Sequence, residues 1–216
     1  MESVAKFVHL VAVVRACSTV HSRLKLHKIF YILRSLGFPV PWAYEFRDYG
    51  PYSTELAADL RSAINAAYVH EVAIEVAGDE DEEPYRRYDV SALPRGEDLL
   101  ASEIAGNPAL GDIVESMAGI VAELAAGQPL GLELQGALMF LQDEHVRPDL
   151  VTQVLRSVKP QFTETEVRAS LEAIADLRSR RSFRPVPSLS GLIGIVAEGP
   201  PSDAAGDLDE TLYDGK

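Results

Sequence analysis

Val69-His70-Glu71-Val72-Ala73-Ile74-Glu75-Val76-Ala77 sets apolar Val72, Ile74 and Val76 against Glu71, Ala73 and Glu75. A period of two in a stretch rich in β-branched residues predicts a strand. Gly78–Pro84 is an acidic turn, and Tyr85–Val90 returns as the partner strand of a hairpin. Working upstream, Ser53 is a good N-cap for a helix running to about Ala67, with Leu56, Leu60, Ala63 and Ile64 inward. Gly50–Pro51 reads as the turn before it, and Trp42–Tyr49 as a short strand or extended segment. Two helices precede these. Residues 4–16 carry the stripe Val4, Phe7, Val8, Val11 and Val14; residues 22–36 carry Leu26, Ile29, Phe30 and Leu33. Thr19 or Ser22 caps the second of these, and Gly37 stops it ahead of Pro39 and Pro41.

Downstream of Arg95 the period is helical throughout. Helices are expected over 96–105, from Asn107–Pro108 to Ala126, from Pro129 to His145 and from Pro148 to Val158. A last one follows Thr163, with Thr163 and Glu166 forming a capping box, and runs to about Arg180. The expected fold is therefore mainly α, in the α+β class. A winged-helix-like part with a small β-hairpin over 1–93 packs against a C-terminal helical bundle over 94–182. Residues 183–216, with Pro185, Pro187, Pro200, Pro201 and many acids, read as an extended or disordered acidic tail. Its apolar island Leu189–Val196 has the look of a strand or docking segment.

The 216 residues carry 33 Asp+Glu against 20 Lys+Arg, a net of −13. Such a charge repels nucleic acid and anionic membranes at long range. It is unevenly spread: residues 1–60 hold seven Lys/Arg against five acids, leaving −15 for the remainder. No apolar run approaches the roughly 18 residues needed to span a bilayer, and no export signal is read, so a cytoplasmic location is expected. A single cysteine, Cys17, excludes an internal disulfide and a multi-cysteine metal site.

Catalytic chemistry finds no motif. His21 and His27 are six apart and share no helix face; Gly191-Leu-Ile-Gly194 lacks the Lys-Ser/Thr of a phosphate loop. Glu55 and Asp59 share a helix face but read as a solvated or docking face. No cofactor, no metal site and no enzymatic activity are expected. Two constellations remain. The polar face of the second helix gathers Arg23, His27, Lys28, Tyr31 and Arg34, suited to phosphate or an acidic partner. The segment Tyr44–Ser53 holds Tyr49, Gly50, Pro51 and Tyr52 beside a helix N-terminus, the make-up of a rigid recognition surface.

Leu26-x-Lys28-Ile29-Phe30-Tyr31-Ile32-Leu33, then Gly37, then Phe46-x-x-Tyr49-Gly50-Pro51-Tyr52-Ser53-x-x-Leu56-x-x-Asp59-Leu60 resembles the YwgA-like family. That family is similar in turn to the Panacea group of SocA-like antitoxin domains, through the Lys-bearing helix and the aromatic Tyr-Gly-Pro turn. Leu132–Leu141 and Val158–Val167 resemble the family's later helices, so the likeness spans about residues 4–180. Tyr52, where Panacea members often carry Val, favours the YwgA-like branch. The resemblance implies no catalytic residues; from Panacea domains it implies antitoxins that neutralise partner toxins through protein contacts.

The expected function is a non-catalytic protein-interaction and regulatory module, antitoxin-like or a subunit of a defence or stress-response system, with a toxin or complex subunit as partner. Arg23, His27, Lys28, Tyr31, Arg34, Tyr49, Gly50, Pro51 and Tyr52 are its expected partner-binding residues. One alternative is a winged-helix transcription regulator, dimeric in that case, that contacts DNA through the basic face of the second helix. The acidic wing Asp79–Glu83 opposes that mode, because affinity for DNA or RNA comes chiefly from neutralising phosphates. A second alternative is an accessory subunit of a nucleic-acid-processing enzyme complex.

Overall fold

A computed structural model describes residues 2–77 and 85–180. The acidic wing Asp79–Glu83, the tail 183–216 and its Leu189–Val196 island lie outside the described residues. Thirteen elements follow in chain order among those described: α1 (Glu2–Cys17), β1 (Val20–His21), α2 (Arg23–Ser35), β2 (Glu45–Arg47), β3 (Gly50–Tyr52), α3 (Thr54–Asn65), β4 (Val69–Val76), β5 (Tyr85–Ala92), α4 (Pro94–Gly106), α5 (Pro108–Ala126), α6 (Pro129–Asp143), α7 (Val151–Val158) and α8 (Glu164–Ser179). The architecture is α+β, mostly helical with little sheet. The expected long hairpin is present, in unbroken antiparallel register from Val69↔Ala92 to Val76↔Tyr85. The two-residue β1, which the sequence reading did not find, pairs with β5 through Val20↔Val90 and His21↔Asp89. Strand order is β1-β5-β4, so among the described residues β4 is an edge with pairing on one side.

Local signals set most boundaries. Ser22 caps α2, its Oγ accepting from the Leu24 N–H at 3.1 Å. At the other end Gly37 has φ +89°, and the Phe38 and Gly37 N–H groups reach back to the Leu33 and Arg34 carbonyls. That is a Schellman stop, which needs the left-handed residue glycine supplies. Ser53 Oγ caps α3 by accepting from the Leu56 N–H, and the Thr163/Glu166 capping box opens α8. Asn107 is flanked by α4 and α5 but its side chain makes no cap bond.

Two expectations are corrected. Gly50–Pro51 is not the turn: the chain reverses at Asp48–Tyr49, while Gly50 and Pro51 belong to β3, with Arg47↔Gly50 and Phe46↔Pro51 as partners. The rigid Pro φ is tolerated because β3 is short and pairs only with β2 among the described residues. Nor is the polar face of α2 open along its length: every residue from Leu26 to Leu33 is buried, His27, Lys28 and Tyr31 included, whereas Arg23 is half-buried and Arg34 exposed. The cause is packing on all sides. α2 lies against α5 and α6, against β3, and against β1 and β5. α1 is similarly enclosed, with Phe7–Val14 all buried. A single hydrophobic cluster runs from Phe7 through α2 and α6 to Leu177, joining the N-terminal elements to the later helices.

Candidate functional site

Burying α2 requires a partner for each polar group it carries inward, because an unpaired buried polar atom costs about 1–3 kcal/mol. His27 Nδ1 accepts from the Ser53 N–H at 3.1 Å, and its ring stacks on Tyr52 with centroids 4.2 Å apart. Tyr31 donates to Asp143 at 2.8 Å, and that same carboxylate accepts from Ser35. Lys28 Nζ donates to the Pro51 carbonyl at 3.1 Å. Beside it Lys159, equally buried, donates to the Asp48 carbonyl and to Glu133 Oε1, the latter at 2.5 Å. Lys28 thus holds β3 to α2 and Lys159 holds the β2–β3 turn to α6, where Gly136 lies against the Pro51 ring. The residues expected as a recognition turn are therefore in large part a fastening. Gly50 and Pro51 are buried and Tyr52 half-buried; Tyr49 stays exposed.

Burial, with Lys28 and Arg47 close by, depresses the His27 pKa to about 3. Its Nδ1 must stay unprotonated to accept from Ser53, so the proton belongs on Nε2. An unfolded histidine titrates near pH 6.5, so between about 6.5 and 3 the unfolded chain takes up a proton that the folded chain refuses. Stability then falls as pH falls through that window, by up to about 1.4 kcal/mol per pH unit. Urea denaturation at pH 7, 6 and 5 should show this slope in the wild type and a shallower one in His27→Gln. Equal slopes would remove His27 from the account. Burial also lowers Lys28, to about 8, against the opposing pull of Glu133 and reinforced by Lys159.

A second hub secures the Trp42 loop. Trp42 Nε1 donates to Asp59 at 2.8 Å, the Ala43 N–H donates to Glu55, and Arg34 donates to the Trp42 carbonyl. Glu55 and Asp59 are thus anchors for that loop, which their spacing alone did not reveal. Tyr44, its hydroxyl without a hydrogen-bond partner among the described residues, packs edge-on against Tyr31. Cys17 is half-buried, and desolvation pushes its thiol up to about 11, which suits packing and not nucleophilic chemistry.

The open feature is a cleft of about 610 Å³. It lies between the first turn of α2, one side of α3, the β4–β5 arm and the α5–α6 connection. Arg23, His27 and Tyr52 from the expected set line it; Lys28, Tyr31, Arg34, Tyr49, Gly50 and Pro51 do not. Its other cations are Lys25, Arg61, Arg86 and Arg87, contributed by three separate segments. Arg23 pairs through Nε and Nη2 with both oxygens of Glu71, and its guanidinium lies 4.2 Å from the Tyr88 ring centroid, tying the arm to α2. Arg87 pairs with Asp89, which also binds His21. Among the described residues Lys25 instead meets only neutral acceptors, the Ala125 and Gly127 carbonyls, and desolvation lowers its pKa.

The outer part of the arm is exposed on both faces. Val72 (41% exposed), Ile74 (36%) and Tyr85 (53%) share one face, since Ile74 pairs with Arg87 and Val76 with Tyr85. Among the described residues no three His, Cys, Asp or Glu side chains are grouped to hold a metal ion, and no helix is long and apolar enough to cross a membrane.

No family model matches the chain. Over 159 residues it is 28% identical to an uncharacterised protein, YwgA of Bacillus subtilis (strain 168), covering 72% of this chain and 86% of that relative. The relative's description names no activity, and its similarity supports a YwgA-like family for this protein.

Proposed function

We propose that this chain is a non-catalytic regulatory module that binds a protein partner, antitoxin-like or as a subunit of a defence or stress-response system. The observation that carries the reading is the β4–β5 arm. β4 is an eight-residue strand, free of proline, lysine and bulges, with one edge open among the described residues and exposed Val72 and Ile74 beside it. Such an edge is a template for an added strand unless something covers it. Its chemistry specifies the occupant: a partner strand with apolar residues facing Val72 and Ile74 and a basic residue facing Glu75, whose side chain is 83% exposed. The antitoxin-like and Panacea part of the reading rests on the resemblance of the Lys28 helix and the Tyr49–Tyr52 segment. A winged-helix-like use of α3 and the arm belongs to the same proposal.

The test is affinity purification of the full chain from its native host, with Ile74→Asp alongside. Wild type should retain a stoichiometric protein, identified and repurified, whose binding falls at least tenfold with Ile74→Asp at unchanged melting temperature. Recovery of no stoichiometric protein, or equal binding by the variant, would overturn the reading. DNA binding through α2 is weakly supported: Lys28 is buried and Arg23 is committed to Glu71. The basic cleft is the observation that favours the accessory-subunit reading.

A further inference from the structure

We propose that the cleft between α2, α3 and the arm is a binding site for a nucleoside phosphate. This goes beyond the partner-binding edge of β4. Three observations converge on it. First, five cations line the cleft of a −13 chain against one lining carboxylate, that of Glu71. Even after Asp89 and Glu75 are counted for their pairs with Arg87 and Arg86, positive charge is in excess. Arg61 makes no ion pair among the described residues, and Lys25 has only carbonyl partners.

Second, the local placement runs against helix electrostatics. The first turn of α2 contains Arg23 and Lys25 and no acid. Cations belong at the C-terminal end of a helix, whereas its N-terminal N–H groups and dipole favour an anion. Glu71 offsets Arg23, but Lys25 has only carbonyl partners among the described residues, so its charge there is unfavourable alone and becomes favourable once a phosphate joins it. Conflict between local rule and observed sequence of this kind is expected at functional sites.

Third, the cleft is not uniformly polar. Leu24, Leu60 and Ile64 form an apolar wall, and the exposed Tyr85 ring stands at the rim. The volume of about 610 Å³ falls within the range of small-molecule sites, roughly 300–1,000 Å³. A ligand with an anionic head and a flat, weakly polar body fits this division. The phosphates reach the first turn of α2 and Arg61, and the base lies against the apolar wall and Tyr85. Tyr52 is not available for stacking, being occupied by His27 and by Arg47, 4.4 Å from its centroid.

Fluorescence anisotropy with a fluorescent ADP derivative and the full chain tests this. Saturable binding is expected, displaced by unlabelled ADP, with adenosine and inorganic phosphate each at least tenfold weaker. Arg61→Glu should weaken binding at least tenfold at unchanged melting temperature, since Arg61 is exposed and makes no ion pair among the described residues. Arg86→Glu, also exposed, is the second variant and should act in the same direction. A 5′-phosphorylated trinucleotide that competes better than ADP would make a strand end the source of the same chemistry. Absence of saturable binding, adenosine competing as well as ADP, or full affinity in both variants would overturn the proposal.

Discussion

Lys159→Ala should cost about 3–5 kcal/mol of folding stability, the range for removing one member of a buried ion pair. In the wild type Lys159 is 3% exposed and bridges the Asp48 carbonyl to Glu133, so one ammonium holds the β2–β3 turn against α6. Its loss leaves the Glu133 carboxylate mostly desolvated and the Asp48 carbonyl without that donor. For a chain of this length the melting temperature should fall by about 6–20 °C. The alternative to a buried bridge is an ordinary surface pair worth at most about 1 kcal/mol. Burial decides between them, because Lys159 and Glu133 side chains are only 4% and 13% accessible. The double variant Lys159→Met/Glu133→Gln removes both charges while keeping volume, and should recover more than half of the loss. A Lys159→Ala cost under 1 kcal/mol by urea denaturation would refute the fastening.

Gly96→Ala is the second large effect. In the first turn of a helix alanine normally gains up to about 1 kcal/mol over glycine. Here an added Cβ would fall 2.2 Å from the Tyr68 carbonyl oxygen and 3.1 Å from Val11 Cγ2. The Tyr68 carbonyl is held by the Leu93 N–H at 3.0 Å, at the root of the arm, so the obstacle is pinned backbone and not a flexible side-chain tip. Overpacking typically costs about 1–3 kcal/mol, and a backbone clash of this depth puts the net loss near about 3 kcal/mol despite the helix-propensity gain. The melting temperature should drop by about 6–12 °C. A neutral or stabilised Gly96→Ala would show that α4 does not dock against the α3–β4 connection at Tyr68. Gly106, by contrast, has open space around its added Cβ and serves as the control.

What the sequence made legible was local. Ser53, Gly37, the Thr163/Glu166 box and the Val69–Val76 alternation act within a few residues, so the elements they bound could be read directly. The burial of α2 could not. His27, Lys28 and Tyr31 look like a solvent face because they are polar, yet their partners are Ser53, Pro51 and Asp143, 23 to 112 residues away. Glu55 and Asp59 misled in the same way, since the Trp42 loop returns to them only in three dimensions. The Gly-Pro pair signalled a reversal two residues late, because Gly50 at φ +89° begins the return strand after the turn. The cleft was partly visible. Arg23-x-Lys25 in an acid-free first turn and Arg86-Arg87 between two tyrosines are both sequence signals, but nothing in the order of residues says that they meet Arg61.

The open edge of β4 is the proposed partner surface, and the arm that carries it also walls the cleft. Hydrogen exchange of the purified complex, with the protein retained from the native host, tests that edge directly. Amides within residues 70–76 should exchange at least tenfold more slowly in the complex than in the free chain. Protection confined to other elements, with β4 exchanging at its free rate, would contradict it.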